Sequence, residues 1–145
     1  MDVESQLRLA ADQVAVEEFL AACGGRLVRR DDDPEGLYWA VLQPAAVDSS
    51  PFIARILWTV YPDLYPSVLF ADGVGGPTST ASAWPAANGY RAPVDICKPI
   101  TAEGHALHPE WATGHHRWRP DGNPFLHVAE TIQGDIDRVG GKRAA

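Results

Sequence analysis

The chain has 145 residues, enough for one domain with a buried core, and its 46% hydrophobic and 21% charged composition is that of a globular protein. A formal net charge of −7 argues against a nucleic-acid binder, which would present a basic face; the basic residues are scattered, and Arg29-Arg30 runs straight into Asp31-Asp32-Asp33. No apolar run reaches membrane-spanning length, the start lacks the basic and apolar regions of a secretory leader, and two cysteines make no disulfide framework, so a cytoplasmic protein with reduced thiols and no membrane partner is expected.

Residues 2–23 repeat apolar side chains at helical spacing (Val3, Leu7, Ala10, Ala11, Val14, Phe19, Leu20), and Gly24-Gly25 supplies the stop, which predicts an amphipathic first helix. Four strand signals follow. Residues 26–30 are short and end at an acidic turn. Residues 37–42, Leu37-Tyr38-Trp39-Ala40-Val41-Leu42, are rich in aromatic and β-branched side chains. Residues 52–60 alternate Phe52, Ala54, Ile56, Trp58 and Val60 against Ile53, Arg55, Leu57 and Thr59. After a proline-bounded corner, residues 67–70 form the fourth. Short consecutive strands with short turns predict an antiparallel meander covered by the first helix.

From residue 71 to residue 123 the periodicity dissolves into Gly, Pro, Ser, Thr and Ala, and four of the five histidines lie between Cys97 and Trp118. An irregular stretch this long inside one domain points to function. Phe125, Val128, Ala129, Ile132, Ile136 and Val139 then predict a final helix, with Asn123 as N-cap and Pro124 at its first position. Residues 1–139 read as one α+β domain and residues 140–145 as a flexible tail.

Within the irregular stretch stands Cys97, in Pro93-Val94-Asp95-Ile96-Cys97-Lys98-Pro99; the other cysteine, Cys23, ends the first helix. A lone cysteine is more often a small buried hydrophobe than a nucleophile. Position in the wider pattern is what singles out Cys97. Helix, four-strand meander, proline-rich corner, irregular segment with one cysteine, Trp-x-Pro and helix, in that order, resemble the ubiquitin-conjugating enzyme family. Leu37-Tyr38-Trp39-Ala40-Val41 resembles its second-strand signature. Tyr61-Pro62-Asp63-Leu64-Tyr65-Pro66-Ser67-Val68-Leu69-Phe70 is similar to its aromatic-Pro, acidic, Tyr-Pro run and the strand that follows. Ile96-Cys97 resembles the Ile-Cys active-site pair, and Trp118-Arg119-Pro120 the Trp-Ser-Pro corner; together these motifs cover roughly residues 2–138.

The chain departs from that pattern around the cysteine. The family's His-Pro-Asn motif is absent, with Trp84-Pro85 near its place and Asn88 nine residues before Cys97; Lys98-Pro99 stands where Leu-Asp is usual; and Trp118 follows Cys97 by 21 residues, a longer interval than the family's core uses. The resemblance implies a divergent, bacterial-type member without the two C-terminal helices of eukaryotic ones.

That resemblance implies a transferase whose Cys97 thiolate takes a ubiquitin-like modifier from an activating enzyme as a thioester and passes it to an amine, with a ligase or protein substrate as further partner and no cofactor. Asn88 becomes the candidate oxyanion donor, though Asn88-Gly89 is also a strong turn pair. His105, the histidine nearest after Cys97, is the candidate to lower the thiol pKa or take the amine's proton. His105-x-x-His108 with His115 and Cys97 has borderline zinc-ligand spacing, and a solvated loop accounts for the same histidines. Two other functions stay open: a catalytically inactive binding module on the same scaffold, and a metal-dependent or Cys–His hydrolase on an unrelated α+β fold.

Overall fold

Asp2 starts the first helix, α1 (Val3–Ala22), by accepting hydrogen bonds from Ser5 N and Ser5 Oγ, both at 2.8 Å, and Cys23 caps its far end. In the computed structural model, which describes all 145 residues, the buried stripe of α1 is Ser5, Leu9, Val16 and Leu20. The face expected from periodicity lies largely in solvent: Val3 is 68%, Leu7 67% and Val14 53% exposed. The buried stripe is interrupted by Asp12 and Gln13, which turn inward to bond Tyr61 and Tyr38. A count of apolar spacing therefore favours the neighbouring, more apolar but unpartnered stripe.

Strands β1 (Arg26–Val28), β2 (Leu37–Leu42), β3 (Phe52–Leu57) and β4 (Ser67–Ala71) form one antiparallel sheet in the order β1-β2-β3-β4, the expected meander. Its register pairs Ala40 with Ala54 and Ala54 with Phe70, so one face collects Tyr38, Ala40, Leu42, Phe52, Ala54, Ile56, Val68 and Phe70, all buried. The third strand stops at Leu57 rather than Val60, because Trp58 N bonds Gly36 O (2.8 Å) and the chain turns away. The first strand is also shorter than expected. Arg30 leaves the sheet to make a two-pronged ion pair with Asp33 (2.7 and 3.0 Å) under the Trp39 indole, whose Nε1 also donates to Asp33 (2.8 Å).

The final helix, α3 (Pro124–Arg138), starts as its sequence predicts: Asn123 accepts from Leu126 N (2.9 Å) and Pro124 takes the first turn. Phe125, Val128, Ala129, Ile132 and Ile136 have no exposed surface and fill the concave side of the sheet together with Leu9, Val16 and Leu20 of α1. Each of these side chains except Ala129 contributes about 1.5–3 kcal/mol by leaving water. The outer face of the sheet holds only a small cluster, Leu37, Trp39 and Ala71.

Tyr61 joins these layers at the proline-rich corner. Its hydroxyl donates to Asp12 of α1 and accepts from Phe125 N of α3 (3.2 Å); its backbone N donates to Ser5 Oγ (3.0 Å); its ring packs edge-on against Trp58 (centroids 4.7 Å apart). Trp118 closes the same corner from the C-terminal side, donating from Nε1 to Pro62 O (2.9 Å).

Residues 71–123 carry more structure than their composition predicts: a hairpin of β5 (Tyr90–Arg91) and β6 (Asp95–Ile96), a short helix α2 (Ala102–Leu107), and 3₁₀ turns at Ala81–Ala83 and Pro109–Ala112. Residues 140–145, expected as a flexible tail, are tied down. Ala144 N bonds Trp84 O (2.9 Å), Ala86 N bonds Lys142 O (2.8 Å), and the Arg143 guanidinium caps the Phe52 ring at 4.0 Å while donating to Ser50, Pro51 and Ser82 carbonyls. No helix is long and apolar enough to cross a membrane.

Two measurements test this packing. Tyr61→Phe keeps the ring but orphans the Asp12 and Phe125 N partners, so urea unfolding should show a loss of about 1–3 kcal/mol. The Arg30 hydrogen bond, against the opposing effect of burial, holds the Asp33 carboxyl down to about 2 from an ordinary 3.8. A carboxyl lowered in the folded state stabilises above its unfolded value, and that contribution is lost as pH falls through the folded one. The Tm gap between wild type and Asp33→Asn should therefore shrink as pH drops from about 5 to about 2.

Candidate active site

Cys97 leaves β6 half-buried, and the chain around it is fixed from several directions. Its backbone N donates to Gly89 O (2.8 Å), which carries the β5–β6 register one pair beyond Tyr90–Ile96. Gly89 makes this return at φ +86°, a left-handed conformation suited to glycine. Asn88, exposed at the preceding position, is thereby brought to the hairpin end that carries Cys97. On the hairpin's outer side Arg91 and Asp95 form a two-pronged pair at 2.6 and 2.7 Å. The Arg91 guanidinium is raised above its ordinary range, first by the Asp95 hydrogen bond and then by the Asp95 charge.

Behind the cysteine, Thr101 closes the loop. Its Oγ1 donates to Ile96 O (2.6 Å) and accepts from Gly104 N (2.9 Å), its N donates to Lys98 O (3.1 Å), and it caps α2. Gly104 lets α2 lie directly on this loop: a Cβ there would sit 2.3 Å from Lys98 O and 2.8 Å from Lys98 N. Glu103 docks the other side of α2 onto the start of β4, accepting from Ser67 Oγ (2.6 Å) and Val68 N (3.1 Å).

The residue after the cysteine is bound as firmly. Lys98 Nζ lies 3.1 Å from Asp135 Oδ2 of α3, the Tyr90 hydroxyl donates to the same oxygen (2.7 Å), and Arg138 reaches Oδ1 at 2.6 Å. Asp135 is only 5% exposed. Burial, the largest single influence, pushes its carboxyl up, but the bonds from Tyr90, Arg138 and Lys98 together outweigh it and the group is lowered, so it serves as a buried carboxylate. Burial, then Asp135, pushes the Tyr90 hydroxyl far above its usual range and keeps it a donor.

His105 is placed on α2, buried at 8% exposure, with its ring stacked on Tyr65 (4.2 Å, 11°) and edge-on to Trp111 (5.6 Å). Its Nε2 lies 2.7 Å from Pro99 O; a carbonyl only accepts, so Nε2 carries the proton. The ring thus braces the loop two residues beyond Cys97 and makes no hydrogen bond to the thiol. His108 stacks on Trp111 at 4.1 Å and bonds Glu110, while His115 and His116 are exposed. His105, His108 and Trp111, with Asp63, Tyr65 and Trp118, line an open cleft of about 470 Å³. No three His, Cys, Asp or Glu side chains converge as metal ligands, so the borderline zinc spacing of His105, His108, His115 and Cys97 does not become a zinc geometry.

Lys98, Tyr90, Thr101, Gly104 and Asp135 were not singled out by the sequence. One signal for Asp135 was available: a carboxylate at the 128, 132, 135 positions of an otherwise apolar helical stripe needs a buried partner. The others have no such mark. Gly104→Ala should shift the 97–98 backbone, cost about 1–3 kcal/mol in urea unfolding, and change the rate at which iodoacetamide labels Cys97. Peptide mapping separates this from Cys23, whose thiol is pushed up by burial and then by Asp137.

Comparison of the chain with protein-family models, with curated proteins and with solved structures finds no match in any of the three.

Proposed function

We propose that the protein is a ubiquitin-conjugating-enzyme-like transferase, which carries a ubiquitin-like modifier as a thioester on Cys97 and passes it to an amine. The observation that carries this reading is the setting of Cys97. A half-buried thiol stands at the end of a hairpin fixed by Gly89, Thr101 and Asp135, after a four-strand meander and ahead of the Trp118 corner and α3. A nucleophile that must meet two different macromolecules in turn gains from a fixed position on an open edge, because little ordering remains at the moment of attack.

In this reading the Cys97 thiolate adds to the modifier's C-terminal carbonyl on the activating enzyme. The new C–S bond forms, the old one breaks, and the activating enzyme's thiolate leaves. An acceptor amine then adds to the Cys97 thioester, the C–N bond forms, sulfur departs as thiolate, and the amine's proton passes to water. Asn88, at the hairpin end beside Cys97, is the proposed side-chain donor to the oxyanion of both steps. His105, engaged with Pro99 O, is assigned to hold the loop rather than to move a proton. That engagement also favours the second reading, a catalytically inactive module that holds a ubiquitin-like protein or peptide.

One experiment decides between them. With a cognate ubiquitin-like protein, its activating enzyme and ATP, a non-reducing gel should show an adduct that thiols remove, that Cys97→Ala abolishes, and that Cys97→Ser renders resistant to thiols. Asn88→Ala should slow its discharge to an amine by about 10²–10³. Modifier binding with no adduct rejects the transferase and leaves the binding module.

A further inference from the structure

The chain contains ten arginines but only two lysines, Lys98 and Lys142. Lys142 lies in the exposed C-terminal segment, whereas Lys98 directly follows Cys97. Neighbouring Cα atoms are about 3.8 Å apart, and a lysine side chain is longer than that, so an acyl group on Cys97 has one amine of its own chain within reach. An amine beside an electrophilic carbonyl reacts as though at very high concentration. Its lone pair would add to the thioester carbonyl, the C–N bond would form and the C–S bond break, the Cys97 thiolate would leave, and a proton would pass from nitrogen to water. The product, an amide on Lys98, would remove the acyl group from the carrier for good.

The observed geometry opposes that side reaction. Lys98 points to α3, its Nζ 3.1 Å from the buried Asp135 carboxylate and 5.7 Å from the centre of the Tyr90 ring. Asp135 is itself held in place by Tyr90 (2.7 Å) and Arg138 (2.6 Å), so the anchor does not swing with the lysine. The Lys98 backbone is fixed as well, its carbonyl accepting from Thr101 N and Oγ1. We propose that Asp135 is a guard for the thioester: it holds the Lys98 amine against α3, away from an acyl group on Cys97, so that transfer goes to an external amine. This inference rests on the acyl-carrier reading of Cys97.

A small thioester, S-phenyl thioacetate, tests it without any modifier or activating enzyme. After incubation, peptide mass mapping with and without hydroxylamine distinguishes a labile acetyl on Cys97 from a stable one on Lys98. Wild type should hold acetyl on Cys97. In Asp135→Asn, checked for folding by circular dichroism, the Lys98 amide should rise roughly tenfold or more, as expected for a released neighbouring amine, and it should vanish in Cys97→Ala/Asp135→Asn. A folded Asp135→Asn that is acetylated on Cys97 yet gives no more Lys98 amide than wild type overturns the guard and leaves the carrier standing. A wild-type Cys97 that takes up no acetyl overturns both. A second measurement needs no variant: acetic anhydride should label Lys142 several-fold faster than Lys98 in the native protein, and equal labelling of the two overturns the guard.

Discussion

The constraint on which the rest of the structure depends is the seating of α3 across the concave face of the sheet. Five of its side chains, Phe125, Val128, Ala129, Ile132 and Ile136, are wholly buried and form the largest helical contribution to the apolar core, beside Leu9, Val16 and Leu20 of α1. Once that stripe is seated, its two ends follow. Its first turn receives the Tyr61 hydroxyl at Phe125 N, which fixes the corner and through it α1. Its last turn brings Asp135 beneath the β5–β6 hairpin, where it collects Tyr90 and Lys98. Core packing and positioning of the cysteine are thus consequences of one helix docking.

Polar residues do much of the joining between layers. Asp12, Gln13 and Ser5 of α1, Tyr61 of the corner and Asp135 of α3 all sit in or beside the core with their hydrogen bonds satisfied. Such bonds add little net stability compared with apolar burial, but leaving one partner unpaired is costly, so each fixes an orientation that packing alone leaves free. This explains why α1 turns a partly polar stripe inward and leaves Val3, Leu7 and Val14 in water. The hydrogen-bonding partners Tyr61 and Tyr38 select the face.

Around Cys97 the same division holds. Short-range bonds from Thr101 and Gly89 set the local backbone, and one long-range carboxylate sets where its neighbour's charge lies. The histidines that cluster after the cysteine in sequence are drawn elsewhere. His105 and His108 stack on Tyr65 and Trp111, respectively, and line a separate cleft. Sequence proximity to a thiol gave them candidacy; aromatic stacking and the Pro99 carbonyl gave His105 its actual place.

What the sequence by itself determined is the part of the protein governed by local periodicity and by chain order. The α+β class, the four-strand meander, the two-faced alternation of β3, the N-cap at Asn123 and the apolar stripe of α3 all follow from spacings of two or 3.6 residues and from capping chemistry within a few residues. The tertiary structure alone decided which face of α1 is buried, that residues 90–96 pair as a hairpin, that the last six residues bind back onto Trp84 and Phe52, and that Asp135 lies beside Lys98. All but the hairpin rest on partners far apart in the chain, 37 residues in the case of Lys98 and Asp135. A buried charge or hydrogen bond is written in the sequence as two unrelated polar residues, and only their meeting in space makes them a pair.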